Sequence, residues 1–181
     1  MARYSLKSKV CLVGESAVGK TSLIKKYVLD VFDDTYLTTI GTKVSKKVVQ
    51  FDSEGVQVSM NMMIWDIMGQ SSFRSVLQDS YFFGANGVIA VCDMTRKETL
   101  AALDEWAQAV HDVAGDVPIV ILANKSDLKD RHQLSEKDIE LKAKKHSAQY
   151  YLTSAKTGEN VNAGFLAIAG AIVKKQSKGE K

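Results

Sequence analysis

The segment with the most specific chemistry lies near the start of the chain, where residues 14–21 read GESAVGKT. It fits the pattern G-x-x-x-x-G-K-[ST], and it stands between an apolar run and a helical pattern. Glycines permit a tight turn whose backbone N–H groups point at phosphate oxygens, and the helix N-terminus adds positive potential. Lys20 offers a full positive charge to the outer phosphates, and the Thr21 hydroxyl is a hard ligand for Mg²⁺. The segment 14–21, the phosphate loop, is therefore predicted to bind the phosphates of a nucleotide. The predicted site includes the backbone of Ser16, Ala17, Val18 and Gly19.

A second candidate segment, residues 124–127 (NKSD), follows the apolar run 117–123. The two oxygens of the Asp127 carboxylate match the two adjacent donors on the guanine edge, N1–H and the exocyclic amine. Adenine lacks that pair of donors and would leave the carboxylate unsatisfied. Asn124 can brace the base edge and the phosphate loop, while the stem of Lys125 can cover the base plane. The sequence therefore predicts a guanine site.

A third segment, residues 153–156 (TSAK), also follows a short apolar run. Backbone N–H groups there could reach the base oxygen. Taken alone, Ser154, Ala155 and Lys156 are common loop residues, so this segment depends on the other two for its interpretation.

The elements between these segments predict an α/β fold. Continuous apolar runs at 9–13, 87–92 and 117–123 are typical of strands covered on both faces, and helical stripes separate them. Residues 56–65 alternate apolar and polar side chains, and residues 52–55 (DSEG) join them to the run 44–51 as a hairpin. We therefore expect a doubly wound, mostly parallel six-stranded sheet with one antiparallel edge strand. In such sheets ligands bind at the carboxyl ends of the strands.

Composition sets the class of protein. The 181 residues are 45% hydrophobic and 25% charged, with a formal net charge of +3, which gives no electrostatic indication of nucleic-acid binding. Two cysteines indicate a reducing compartment, and the longest apolar stretch, 165–173, is far below the roughly 20 residues of a membrane span. We expect one cytoplasmic domain over residues 1–176 and a short charged tail over 177–181.

Five motifs, in this order, resemble the Ras-superfamily small GTPases. They are GESAVGKTS (14–22), TIG (39–41), IWDIMGQ (64–70), NKSD (124–127) and SAK (154–156). SYFFGANG (80–87) and the aromatic residue of Ile64-Trp65-Asp66 resemble the Rab branch most. The resemblance implies the phosphate-loop NTPase fold, bound GTP or GDP, and Mg²⁺.

The resemblance also implies residue roles. Thr39 would bind Mg²⁺ and the γ-phosphate, and Gln70 would orient the attacking water. The N–H of Gly69 would meet the γ-phosphate, while Phe32 would lie edge-on against the guanine and Tyr36 would close over the phosphates. The implied sets are Lys20, Thr39 and Gln70 for catalysis, Thr21, Thr39 and Asp66 for the metal, and Ser22 as a further member of the phosphate-loop motif.

The implied function is a monomeric switch that hydrolyses GTP slowly and signals through residues 32–41 and 69–81, in vesicle or membrane trafficking. The first of these segments has no arginine that could assist hydrolysis, so an activating protein is implied, with an exchange factor and effectors. No cysteine follows Cys92 and residue 2 is alanine, so either the sequence is shortened at its C-terminus or the native protein is not lipidated. Peripheral association with a membrane is expected only if the native tail is longer.

Two alternatives stay open. Met68 and Ser71 stand where the family usually has alanine and glutamate, which fits a pseudo-GTPase that holds nucleotide without turnover. The second alternative is a phosphate-loop kinase of a small acceptor. The guanine-type NKSD segment and the lack of a lid-like arginine cluster disfavour that kinase.

Overall fold

The fold was analysed in a computed structural model, which describes residues 3–33, 41–69 and 79–179. Six strands form one sheet, namely β1 (Arg3–Val13), β2 (Thr42–Ser53), β3 (Val56–Ile67), β4 (Gly87–Asp93), β5 (Ile119–Asn124) and β6 (Gln149–Leu152). Their order in the sheet is β2-β3-β1-β4-β5-β6. All neighbouring strands are parallel except β2 and β3. The predicted sheet with one antiparallel edge strand is confirmed.

Helices cover both faces of the sheet, which is why β1 and β4 are apolar on both sides. Side chains alternate along β1, so that Val10 and Leu12 join one core cluster while Cys11 and Val13 join the other. Helices among the described residues include α1 (Lys20–Leu29), α2 (Lys97–Ala101), α3 (Leu103–Ala114), α4 (Glu136–Lys145) and α5 (Val161–Gly179). The first cluster includes side chains of α1 and α5, and the second includes side chains of α2, α3 and α4.

Local signals in the sequence account for several elements. Ser135 and Asp138 form the predicted capping box at the start of α4, with both reciprocal hydrogen bonds present. The hairpin between β2 and β3 turns at Glu54 and Gly55, which both have positive φ, as a two-residue turn that matches strand twist requires. The turn is therefore shorter than the four-residue connection expected from the sequence.

One strand differs from its prediction. The apolar run begins at Lys9, but β1 begins at Arg3 and pairs in parallel register with β3 from Arg3 opposite Gln57 onward. Tyr4, Ser5 and Lys7 are exposed, so no apolar run marks this part of the strand. Backbone pairing with a long neighbour, rather than burial, extends the strand.

The last helix, α5, places the predicted stripe from Val161 to Val173 in the core. It continues through Gly179, three residues into the stretch 177–181 that the sequence assigned to a tail. Over the ranges that the structure describes, no helix has both the length and the apolar character needed to cross a membrane.

Candidate nucleotide site

The three segments singled out by the sequence come together at one edge of the sheet. Strands β1, β3, β4, β5 and β6 run parallel to one another, so their carboxyl ends lie on the same side. The strand order places β1 between β3 and β4. The phosphate loop after β1 is therefore flanked by the segments that follow those two strands.

The phosphate loop passes very close to the segment after β5. Gly19 caps α1 with φ 100°, in the region that favours glycine. A Cβ built on Gly19 would lie 2.3 Å from Nδ2 of Asn124, so a side chain at this position would displace the asparagine. The Asn124 amide donates to the carbonyl oxygen of Val18 at 3.0 Å. Glycine at position 19 thus permits a direct link between the two loops.

Lys20 is buried inside the loop, with 6% of its surface exposed. Its ammonium donates to the carbonyl oxygens of Gly14 and Glu15, both at 2.8 Å. Burial lowers the pKa of Lys20 to about 8, against the opposing effect of the Asp66 and Glu15 carboxylates. An anion such as phosphate, placed against this ammonium, would favour the charged form again.

Asp66, near the end of β3, is also buried. The Thr21 hydroxyl donates to Oδ2 of Asp66 at 2.5 Å. Oδ1 of Asp66 has no hydrogen-bond partner among the described residues, and burial raises the pKa of this carboxyl. A carboxylate oxygen without a partner beside a hydroxyl is the donor set that a hard cation such as Mg²⁺ prefers. Thr21 and Asp66 therefore fit the implied metal.

Gly69 lies against the phosphate loop. A Cβ at Gly69 would approach both the carbonyl group of Glu15 and Nζ of Lys20 to 2.6 Å. Any side chain there would disturb the lysine. This glycine lets the backbone after β3 pass directly beside the ammonium group.

On the base side, Asn124 connects three segments. Its Oδ1 accepts hydrogen bonds from the backbone N–H of Ala155 at 3.2 Å and from the Thr153 hydroxyl at 3.4 Å, while its amide binds the phosphate loop. Asp127 accepts a hydrogen bond from the Ser154 hydroxyl at 2.6 Å. These contacts unite the segments after β5 and β6, which lie far apart in the sequence.

The other predicted site residues are placed as follows. Val18 is fully buried in the core, Ala17 and Lys156 are exposed, and Ser22 is half-buried at the start of α1. Phe32 is half-buried and packs against the core cluster on the α1 and α5 face. Tyr36, Thr39 and Gln70 lie outside the described residues.

Four contacts that sequence reasoning missed support the loops. The Asp93 carboxylate, at the end of β4, lies 2.6 Å from Nζ of Lys125 and 3.3 Å from Nε of Arg96. The Trp106 indole donates to the Glu15 carboxylate at 3.1 Å, and the Ser126 hydroxyl donates to the Glu159 carboxylate at 2.7 Å. A polar residue directly after an apolar run was a usable signal for Asp93, as it was for Asn124. Arg96 lies only three residues after Asp93, but the other partners are distant in sequence, so no spacing could indicate them.

Comparison with known proteins agrees with this geometry. The Ras family model matches residues 9–174. The chain is 36% identical over 170 residues to the GTP-binding nuclear protein GSP1 of Encephalitozoon cuniculi, covering 93% of this chain and 78% of that protein. It is 32% identical over 179 residues to the GTP-binding protein ypt4 of Schizosaccharomyces pombe, covering 98% of this chain and 76% of that protein. The resemblance inferred from five short motifs is confirmed, and the chain belongs to the Ras family of small GTPases.

Proposed function

We propose that this chain is a Mg²⁺-dependent switch that binds GTP, hydrolyses it slowly to GDP and phosphate, and changes partners between the two states. The observation that carries the proposal is the position of Asn124. One side chain contacts the phosphate loop through Val18 and the segment after β6 through Ala155. The segments proposed to bind the phosphates and the base are thus joined through this one side chain.

Guanine is the base that suits this assembly. The Ser154 hydroxyl binds one oxygen of Asp127 and orients the carboxylate. Held in this way, Asp127 can accept hydrogen bonds from guanine N1–H and the exocyclic amine, whereas adenine lacks that pair of donors. The backbone N–H groups of Ala155 and Lys156 are proposed donors to the base oxygen.

Two buried groups of opposite charge support the triphosphate and the metal. Burial lowers the pKa of Lys20 and raises that of Asp66, so each group is held in surroundings that disfavour its charge. Phosphate oxygens beside Lys20, and a cation held by Thr21 and Thr39 with Asp66 behind a water molecule, would relieve both. When bound, Mg²⁺ would neutralise charge that develops on the phosphates during transfer.

Hydrolysis is proposed to depend on residues that the family resemblance identifies. Gln70 would orient the attacking water, the N–H of Gly69 would bind the γ-phosphate, and Tyr36 would cover the phosphates. The close approach of Gly69 to Lys20 supports a common γ-phosphate site for the two. Phosphoryl transfer needs positioning and neutralisation more than covalent help, so these few groups suffice for a slow reaction.

Base specificity can be tested with Asp127→Ala. We expect guanine nucleotide affinity to fall by about tenfold to a hundredfold, because a charged acceptor of two hydrogen bonds is removed. The measurement is titration with fluorescent GDP and ADP, together with chromatography of nucleotide released from the denatured protein. Asp130→Ala, which changes an exposed aspartate on the nearby turn Lys129–Arg131, is the matched control and should bind normally. Adenine nucleotide released from the native protein would overturn the assignment.

Turnover can be tested with Gln70→Leu in protein loaded with GTP. We expect single-turnover hydrolysis to slow by about a hundredfold, since positioning of the water is lost. Asp130→Ala serves again as the control with an unchanged rate. If the wild-type protein retains GTP without hydrolysis, the pseudo-GTPase alternative replaces this part of the proposal and leaves the guanine site intact.

We further propose a Rab-like role in vesicle or membrane trafficking, as a cytoplasmic monomer that an exchange factor, an activating protein and effectors regulate through residues 32–41 and 69–81. The segment SYFFGANG and Trp65 beside Asp66 support this branch. Expression of the Gln70→Leu variant should slow transport of a secreted or endocytosed reporter. Normal transport, with the variant shown to be loaded with GTP in cells, would contradict the trafficking role alone.

A further inference from the structure

Asp93 forms the centre of a charged cluster at the end of β4, in which the carboxylate is buried and the side chains of Lys125 and Arg96 are 32% and 36% exposed. Asp93 is fully buried, and both of its carboxylate oxygens are occupied. Oδ1 accepts hydrogen bonds from the backbone N–H of Thr95 at 2.8 Å and from the Thr95 hydroxyl at 2.7 Å. Oδ2 lies 2.6 Å from Nζ of Lys125 and 3.3 Å from Nε of Arg96. The carboxylate thus holds two cations from different segments.

Both cations also donate hydrogen bonds to the backbone of the phosphate loop. Nζ of Lys125 donates to the carbonyl oxygen of Ala17 at 3.0 Å, and Nη2 of Arg96 donates to that of Ser16 at 2.7 Å. Ala17 has φ 62°, in the left-handed region that non-glycine residues rarely adopt. The cluster therefore binds two consecutive carbonyl groups at the point where the loop backbone adopts this unfavourable conformation.

We propose that Asp93 and Arg96 are positioning residues that hold Lys125 and the turn at residues 16 and 17 in the nucleotide-binding conformation, and so set how slowly nucleotide leaves. The inference rests on the proposed guanine site. Asp93 acts on the nucleotide only through Lys125 and the loop backbone. Arg96 acts through the loop backbone and through its ion pair with Asp93.

The charge of Asp93 is maintained in spite of its burial. Burial by itself would raise the pKa of the carboxyl, but hydrogen bonds from Lys125 and Thr95 outweigh it, and the pKa is lowered overall. The anion is therefore present at neutral pH to orient both cations. An amide at position 93 would keep the size of the side chain but lose this charge.

The cluster and the catalytic lysine hold different parts of the loop. Hydrogen bonds from the Asp93 cluster end on the carbonyl groups of Ser16 and Ala17, whereas Lys20 binds those of Gly14 and Glu15. Loosening the first pair should open the outer turn of the loop while the ammonium of Lys20 stays in place. Nucleotide release should therefore respond to the cluster more strongly than hydrolysis does.

The test measures dissociation of fluorescent N-methylanthraniloyl-GDP, displaced by excess GDP in the presence of Mg²⁺. We expect Asp93→Asn to raise the dissociation rate by about tenfold to a hundredfold, and Arg96→Gln by about threefold to tenfold, because charge-assisted hydrogen bonds are lost. Single-turnover GTP hydrolysis of the loaded variants should stay within about twofold of wild type. Asp104→Asn makes the same chemical change in a surface ion-pair cluster and should leave release unchanged.

A double-mutant cycle separates positioning from general stability. Lys125→Met alone should speed release, and Asp93→Asn should have a smaller effect in the Lys125→Met background than in wild type, since only the contact of the carboxylate with Arg96 then remains to be lost. Full additivity of the two changes would overturn the proposal, as would an unchanged release rate in both Asp93→Asn and Arg96→Gln. If Asp93→Asn does not fold, the cycle of Arg96→Gln with an Asp93→Glu variant takes its place, with additivity again the contrary outcome. A wild-type protein that retains no fluorescent GDP would instead refute the guanine site itself.

Discussion

Two carboxylates in this molecule, one buried and one at the surface, each bind more than one basic side chain. The comparison between them shows how burial changes the contribution of an ion pair. Asp93, whose side chain is 1% exposed, joins Lys125 and Arg96 beneath the phosphate loop. Asp104, whose side chain is 35% exposed, joins Lys142, Lys145 and His146 at distances of 2.7 to 2.8 Å. The surface cluster has more partners but links only α3 to α4. The buried cluster has fewer partners but links three segments of the candidate site.

Burial decides how much each cluster contributes. At the surface, water and salt replace a lost partner, and exposed pairs contribute about 1 kcal/mol or less. A buried charge that loses its partner has little water to replace it, so the loss is several times larger. The burial of the carboxylate is therefore a better guide to the contribution of a cluster to stability than the number of its ion pairs.

The largest effect should come from Asp93→Ala. We expect the free energy of unfolding to fall by about 3 kcal/mol, since two cations and the Thr95 groups lose their common acceptor. The measurement is urea unfolding followed by circular dichroism, without added nucleotide, at low salt and in 1 M NaCl. Because the site is buried, the loss should persist in salt. A loss no larger than that of Asp104→Ala would remove the distinction between the clusters.

A link of intermediate strength joins α3 to the phosphate loop. Trp106 is 1% exposed and donates to the carboxylate of Glu15, whose own carbonyl group binds Lys20. Trp106→Phe should lower the free energy of unfolding by about 1–2 kcal/mol, because one charge-assisted hydrogen bond and some packing are lost. Thermal unfolding measures this loss. Glu15→Gln keeps an acceptor oxygen and should cost less, and an equal cost would assign the effect to charge rather than to this bond.

The smallest effect belongs to Asp104, and it depends on pH. Burial by itself would raise the pKa of Asp104, but hydrogen bonds from Lys142, Lys145 and His146 together outweigh it and hold the pKa well below its usual range. A lowered folded-state pKa gives stability that is complete above the unfolded value of about 3.9 and is lost as the pH falls below it. The stability difference between wild type and Asp104→Asn should therefore stay constant from pH 6 to about pH 5 and shrink as the pH falls from about 4 to about 2. Acid unfolding curves measure it, and a constant difference would show that the cluster does not act through this charge.

Local patterns explain why the fold could be predicted. The alternation from Val56 to Trp65 and the buried run from Gly87 to Cys92 are confirmed as β3 and β4, and the stripe from Val161 to Val173 is confirmed as the core face of α5. Each is a repeat of period two or 3.6 within one element. The start of β1 escaped prediction because its first residues are exposed and pair only through the backbone.

The candidate site could be predicted only in part. The phosphate-loop and NKSD motifs are each contiguous in the chain, so their residue types and spacing alone indicated binding of phosphate and guanine. Asp93 and Arg96 were missed because each acts on segments that are distant in the chain. Arg96 binds the carbonyl group of Ser16, 80 residues away, and no local pattern encodes such a contact.

By itself, the sequence determined the order of strands and helices, the phosphate loop, the guanine-type segment and the family. Each of these depends on the types and spacing of residues that are close together in the chain. Tertiary structure alone decided that β1 lies between β3 and β4 and that the loops after β1, β4 and β5 meet. Only that arrangement brings Lys125, Arg96 and Asp93 together under Ser16 and Ala17. The physical reason is that a buried charge requires a partner in space, and the fold, rather than the spacing of residues, supplies it.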